Sequence, residues 1–168
     1  MKKIFLLAII ISTAFFKTSF AIVSGYAGVS AGAVNFKPNT GSGVSGATLG
    51  LNAGIEANLL LVKLGAEVFA DKAVLLDKKE GDKPLDYGIK GKVMMNLVFV
   101  EPYFTAGFGK EKIGDYKNNF ALAGVGLQTK FLGIGAYIEA NYLTSISKYE
   151  GVKTSRAGLQ AGLKYYFF

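Results

Sequence analysis

Two stretches and one spaced set of residues in this sequence are of the right type to do chemistry. The stretch GSGVSG, residues 41–46, has the G-x-G-x-x-G spacing that brings a turn's backbone N–H groups against a dinucleotide's pyrophosphate. That use needs a strand before the glycines and a helix after them. Here an alternating, strand-like segment follows, so the stretch reads as a loop. The acidic run DKKEGDK, residues 77–83, offers carboxylates to a cation, but its spacing fails the calcium-loop pattern. The third set is spread along the chain: Glu56, Lys63, Glu67, Lys90, Lys92, Glu139 and Arg156. Both signs recur at strand-like intervals, and charges held away from water must pair, because a lone buried charge is costly. Ion pairing, with no catalytic, cofactor or metal role, is therefore the chemistry expected of them. The chain contains no His and no Cys, so the most frequent general base and the thiolate nucleophile are both missing.

The elements that must position these charges have a period of two. In ATLGLNAGIEAN, Ala47, Leu49, Leu51, Ala53, Ile55 and Ala57 share one face, while Thr48, Asn52 and Glu56 share the other. Alternating Cβ directions make such a segment a strand with one apolar and one polar side. The same pattern returns around Val62–Ala70, Tyr87–Phe99, Pro102–Phe108, Ala121–Leu127, Ile134–Tyr142 and Ala157–Phe167, and more weakly from Val23 to Ala33. Eight strands result. Long polar connections are expected at residues 35–46, 71–84, 110–119 and 144–153. Tight turns are expected near Leu59 and Leu60, near Phe99 and Val100, and near Phe131 and Leu132. Long connections at one rim and short turns at the other describe an all-β, eight-stranded, antiparallel up-and-down transmembrane barrel, with long extracellular loops and short periplasmic turns. In that arrangement Glu56 lies across a tight turn from Lys63, and Glu67 lies across the next hairpin from Lys90 or Lys92.

Alternation alone does not say which face is outside, since a soluble lipocalin-like barrel turns its apolar side inward. The aromatics decide for the membrane. Tyr87 and Phe99 bracket one strand, and Phe120 and Phe131 another, at the apolar face. Eleven or twelve tilted residues span roughly 28–30 Å, close to a bilayer's apolar height between aromatic girdles. Eight strands also leave an interior just wide enough for side chains to fill, so the lumen is expected to be plugged rather than a pore.

The ends of the chain carry further signals. Lys2 and Lys3 precede an apolar stretch, Ile4 to Phe16, and Ser19 and Ala21 supply the small residues of a cleavage site. Residues 1–21 therefore read as a signal peptide for the Sec pathway, and residues 22–168 as the barrel domain. Of the 19 basic residues, Lys2, Lys3 and Lys17 fall in that peptide, leaving 16 against 12 acidic ones. Such a mild excess is no nucleic-acid footprint. At the other end the chain closes on Leu163, Tyr165, Tyr166, Phe167 and Phe168, an apolar finish that has to sit out of water.

This finish is similar to the C-terminal aromatic signal of bacterial outer-membrane proteins. EPYFTAGFGK, residues 101–110, resembles the Pro-Tyr-x-x-x-Gly-x-Gly strand of the OmpA/OmpX-like small-barrel family, and FALAGVGLQTKF and the closing hairpin resemble it too. The resemblance implies an outer-membrane location and contact with outer-membrane lipid and lipopolysaccharide. It also implies recognition of Leu163, Tyr165, Phe167 and Phe168 by the barrel assembly machinery. A monomer is expected, with no cofactor and no enzymatic activity, because barrel lipases, acyltransferases and proteases rely on a His. One departure matters: the periodic face ends at Phe167, which leaves Phe168 as an extra residue or shifts the register by a bulge. The functional expectation is a structural, envelope-stabilising barrel. The alternative is an adhesin or host-interaction barrel that binds a surface ligand through loops such as 74–84 and 110–119. A narrow pore and a soluble carrier rank below both.

Overall fold

The computed structural model describes residues 23–38, 44–75, 84–97, 99–114, 116–146 and 154–167. The expected signal peptide, the DKKEGDK run and Phe168 lie outside these residues. Eight strands follow one another: β1 (Val23–Pro38), β2 (Val44–Leu59), β3 (Val62–Leu75), β4 (Leu85–Met95), β5 (Glu101–Ile113), β6 (Tyr116–Phe131), β7 (Ile134–Ser145) and β8 (Thr154–Tyr166). Each pairs antiparallel with the next, and β8 closes on β1, giving a barrel with no free edge. The closing seam runs from Tyr26↔Tyr166 to Pro38↔Thr154.

The period of two appears directly in the burial pattern. Leu49, Leu51, Ile55, Val68, Ile89, Val93, Phe104, Val125, Leu159 and Leu163 point outward and are exposed. Glu56, Glu67, Lys90, Lys92, Glu139, Arg156 and Lys164 point inward and are buried. The protein is thus apolar outside and charged within, the inverse of a soluble barrel's arrangement. GSGVSG leads into a strand and not a helix, since Val44, Ser45 and Gly46 open β2.

The chain departs from the sequence expectation in four places. Residues 110–119 are not a long loop, because β5 and β6 stay paired from Lys110↔Asn119 to Ile113↔Tyr116 and turn at Gly114, whose φ is 59°. Above the apolar band both faces of these strands are polar, so alternation stops being visible while the ladder continues. The ends of β1, β2 and β3 also extend into expected loops: Asn35↔Ser45 and Ala47↔Val74 are still paired. β4 ends at Met95, not Phe99, because Asn96 leaves the ladder and binds the neighbouring turn, its N–H donating to Leu61 O and its side-chain amide to Leu60 O. Finally, Phe120 lies on the inward face and is buried against Phe69, so it is no part of an outer girdle. Its parity is that of Gly124, Gly126 and Gln128, and the ring covers its cross-strand partner Gly109, which has no side chain.

Candidate functional site

The inward side chains form the candidate site. Starting from the end with the short turns, Glu56 is held by three donor groups: Lys164 at 3.1 Å, and the Tyr166 hydroxyl at 3.2 Å and the Gln128 amide at 3.3 Å, each of these two equidistant from both carboxylate oxygens. Gln128 also donates to Glu101 at 2.9 Å and accepts from Lys164. Glu101 in turn pairs with Lys63. At the mouth, the Lys130 ammonium lies 3.8 Å from the centre of the Tyr166 ring.

One layer further in, Glu67 meets two cations, Lys90 at 3.1 Å and Lys92 at 2.6 Å, and accepts from the Tyr26 hydroxyl at 2.6 Å. Lys90 bridges on to Glu139 at 2.9 Å, and Tyr103 donates to the other oxygen of Glu139 at 3.0 Å. Four carboxylates and four ammonium groups therefore alternate through this half: Glu56, Glu67, Glu101 and Glu139 with Lys63, Lys90, Lys92 and Lys164. Charge-assisted bonds this dense compensate the desolvation of each partner.

Three tyrosines line this network because glycine stands opposite each one. Tyr26 pairs with Gly54, Tyr103 with Gly126 and Tyr137 with Gly162. A Cβ at Gly126 would sit 2.3 Å from the Tyr103 ring, so each ring lies flat over its partner's backbone and sends its hydroxyl into the lumen.

The other half of the lumen is built differently. Arg156 pairs with Asp86 and approaches Glu111 at 3.5 Å, while Asp71 accepts from Gln160 at 3.1 Å. Asp86 Oδ1 and Thr48 Oγ1 are buried without a bonded partner. One inward step nearer the short turns than Asp71, Asp86 and Glu111, Phe69 and Phe120 pack together with Leu122 and Leu143. Two interior spaces beside Arg156 measure about 10 and 20 Å³. A small-molecule site usually needs several hundred. Among the described residues no group of three or more acidic, His or Cys side chains is placed to hold a metal ion.

All seven charges named from the sequence face inward, but not with the expected partners throughout. Glu56 does not meet Lys63. The residue opposite Lys63 is Asn58, and Glu56 stands opposite Gly65, so each charge reaches past one neighbouring strand, Glu56 past β1 to Lys164 on β8 and Lys63 past β4 to Glu101 on β5. Glu67 lies directly opposite Lys90. Arg156 belongs to a separate cluster from the other six. Glu101, Lys164 and Asp86 are further members whose inward parity is readable from the alternation; Glu111 is another, in a stretch where both faces are polar and the parity is hidden. Tyr103 and Tyr137 share the parity of Glu101 and Glu139, so their inward side is readable as well, but the partners of their hydroxyls are not. Leu163, Tyr165 and Phe167 all point outward, and the Tyr165 and Phe167 rings meet edge to face at 5.6 Å. The ladder continues past β8, with Phe167 N–H donating to Gly25 O at 2.9 Å.

No protein-family model and no curated protein matches the sequence. Solved structures do. The Neisserial surface protein A, NspA, matches with a TM-score of 0.63 at 16% identity, over 87% of this chain and 99% of that one. The chain has the fold of a small outer-membrane barrel. The outer membrane enzyme PagL also shares the fold, with a TM-score of 0.53 at 16% identity over 80% of this chain and 97% of PagL. Ail of Yersinia pestis gives a TM-score of 0.47 at 16% identity, over 84% and 99%. NspA and PagL agree in fold with the OmpA/OmpX-like resemblance. Because this barrel architecture includes an enzyme, the fold by itself does not assign or exclude an activity.

Proposed function

We propose that the protein is an integral outer-membrane barrel whose lumen is plugged by ion pairs and whose role is structural, in stabilising the envelope. The observation that carries this reading is the inversion of polarity together with the pairing of four carboxylates with four ammonium groups in the half of the lumen nearest the short turns. An apolar exterior needs lipid, and closed strands are one of only two ways for a chain to cross it with every backbone group bonded. Ion pairs among β2, β3, β4, β5, β7 and β8 support a lumen filled by side chains in that half. Residues 1–21 serve as the export signal, removed before Ile22. Leu163, Tyr165, Phe167 and Phe168 serve as the ending that the assembly machinery reads.

Other readings have less behind them. Enzymes exist in this fold, but this chain has no His or Cys, and Glu56, Glu67, Glu101 and Glu139 are each tied to a cation. Of the two stretches named for adhesion, 74–84 loses Val74 and Leu75 to β3 and 110–119 is a paired hairpin, so residues 76–84 are what that reading keeps. The deciding experiment uses protein refolded into a planar bilayer. It should insert, shift its gel mobility on boiling, and show no steady conductance. Large, reproducible channels from the pure protein overturn the plugged lumen, and recovery of the mature chain in the soluble periplasmic fraction overturns the membrane reading.

A further inference from the structure

We infer that the outer surface of β3–β6, at the rim away from the short turns, binds a phosphorylated glycolipid of the outer leaflet. The inference rests on the membrane reading above and names a partner and a site for it. Its starting point is how charge is distributed between the two faces of the barrel wall. Every described acidic residue (Glu56, Glu67, Asp71, Asp86, Glu101, Glu111 and Glu139) has inward parity. The described charges with outward parity are Lys37, Lys72, Lys110, Lys112 and Lys117, all exposed and all near one rim.

Four of the five gather on one sector. Leu85 of β4 pairs with Lys72 of β3 on one side and with Lys112 of β5 on the other, and Lys112 stands directly opposite Lys117 of β6. Lys110 lies one outward step below, opposite Tyr87 on β4 and Asn119 on β6. Adjacent strands are about 4.8 Å apart. Three lysines on one row therefore span roughly 15 Å, with a fourth beneath them. Like charges set directly opposite destabilise a sheet. No described carboxylate on that face relieves Lys112 and Lys117, so the row is complementary to an anion from outside the chain. At this height the barrel wall leaves the apolar band, where lipid headgroups carry their phosphates.

The surface below the row supplies the second half of the argument. Ala66, Gly91 and Ala106 form one paired row across β3, β4 and β5 with almost no side chain. Ile55, Val68, Ile89 and Phe108 stand beside it, lining a groove of about 870 Å³. A second groove of about 470 Å³ lies higher, between Tyr87, Ile89, Phe108, Lys110 and Ile146. The two share Ile89 and Phe108, so an apolar trough runs down from Lys110. Several phosphate-seeking cations above a trough wide enough for acyl chains match a lipid with more than one phosphate on a multiply acylated sugar.

The test refolds the full mature chain into phosphatidylcholine nanodiscs doped with bis-phosphorylated lipid A, dephosphorylated lipid A or phosphatidylglycerol. Lipid retained per barrel is read by native mass spectrometry, and insertion in the same samples by the boiling shift. The bis-phosphorylated lipid should be retained about tenfold better than either other lipid, as expected for several lysines near a headgroup. The triple variant Lys110→Gln, Lys112→Gln, Lys117→Gln should lose that preference and still insert. Lys37→Gln, on β1 outside the sector, should keep it. Equal retention of the dephosphorylated lipid, equal retention of phosphatidylglycerol, or an unaffected triple variant overturns the site. Displacement by millimolar inorganic phosphate overturns it in favour of a free-anion site. A chain that fails to insert at all refutes the membrane reading and this inference with it, and the boiling shift tells that failure from the others.

Discussion

The two ends of this barrel solve the same problem with opposite materials. At the short-turn end the outer surface is apolar to its last residues, with Leu59, Leu60, Leu61, Val62, Met95, Leu97, Phe99, Phe131, Leu132 and Phe167 all exposed. Inside that end, four carboxylates pair with four ammonium groups, and a fifth ammonium, that of Lys130, lies over the Tyr166 ring at the mouth. At the far end the outer surface carries lysines, and the lumen sets Asp71, Asp86 and Glu111 around Arg156. The contrast teaches where the surroundings change. A matched, bonded interior suits a region sealed by lipid outside and by side chains within, where no water can make up a missing partner. Unmatched carboxylates and exposed lysines suit a rim that meets headgroups and water.

The largest effect should come from breaking the short-turn end outright. Deleting residues 165–168 removes the outward Tyr165 and Phe167, the Tyr166 bond to Glu56, and the ladder bonds that Tyr166 and Phe167 make to Gly133 and Gly25. Export should continue and insertion should be lost, with no boiling shift. An equally long deletion at the far end, residues 78–81 between β3 and β4, should leave insertion intact, because connections tolerate changes that ladders do not. Normal insertion of the first variant would mean that the two ends do not differ in this way.

Much of that first end was legible in the sequence. The apolar face of each strand was readable wherever lipid outside and charge inside made the two sides chemically different. Glu56, Lys63, Glu67, Lys90, Lys92 and Glu139 were placed inward on that ground. The pairing is not legible, because Glu56 finds Lys164 past β1 and Lys63 finds Glu101 past β4, and alternation along a strand carries no information about which side chain a long Lys or Glu meets two strands away. The far end was misread for a different reason. From Lys110 to Asn119 both faces are polar, so a paired hairpin resembled a loop. Phe120 was assigned outward because an aromatic fits a girdle, yet it is the glycine opposite, Gly109, that makes room for it inside.

Removing one carboxylate from each end sharpens the comparison. Glu67 is the carboxylate that pairs with Lys92, while Lys90 keeps Glu139 when Glu67 is lost. Glu67→Ala therefore strands a buried ammonium and should cost on the order of 3 kcal/mol. At the far end Glu111 approaches Arg156 at 3.5 Å, but Arg156 retains Asp86. Glu111→Ala leaves no charge unpaired and should cost less than about 1 kcal/mol. Urea unfolding in vesicles measures both. Equal costs would show that the two clusters are sealed alike.

Glycines make a smaller and more local probe. A methyl group at Gly126 would meet the Tyr103 ring at 2.3 Å and Ile138 O at 2.6 Å, and neither can move without disturbing the ladder or the Tyr103–Glu139 bond. Gly126→Ala should cost about 2 kcal/mol through overpacking. At the far end the nearest atom to a methyl on Gly158 is Asn141 Oδ1 at 2.6 Å, the tip of a side chain that can turn aside, and the next is Ala33 O at 3.6 Å. Gly158→Ala should cost about half as much or less. A reversed order would place the rigid packing at the wrong end.

The smallest effect concerns the outermost residue of the short-turn end. Leu60 has a φ of 62°, a conformation that leucine adopts at a cost of roughly 1–2 kcal/mol. In water, Leu60→Gly would relieve that strain and lose roughly 0.5–1 kcal/mol to the greater freedom of glycine when unfolded. The variant would then be neutral or slightly stabilised. The apolar rim argues for another setting. Leu60, Leu61 and Leu132 are each more than 70% exposed on the barrel itself, so lipid is what covers them. Burying a leucine side chain contributes about 2 kcal/mol. Losing that contact should outweigh the relief and leave Leu60→Gly less stable by about 1 kcal/mol in vesicles. The sign is the test. A stabilised variant would put this turn in water, and the difference between the two rims would then begin one layer further into the barrel.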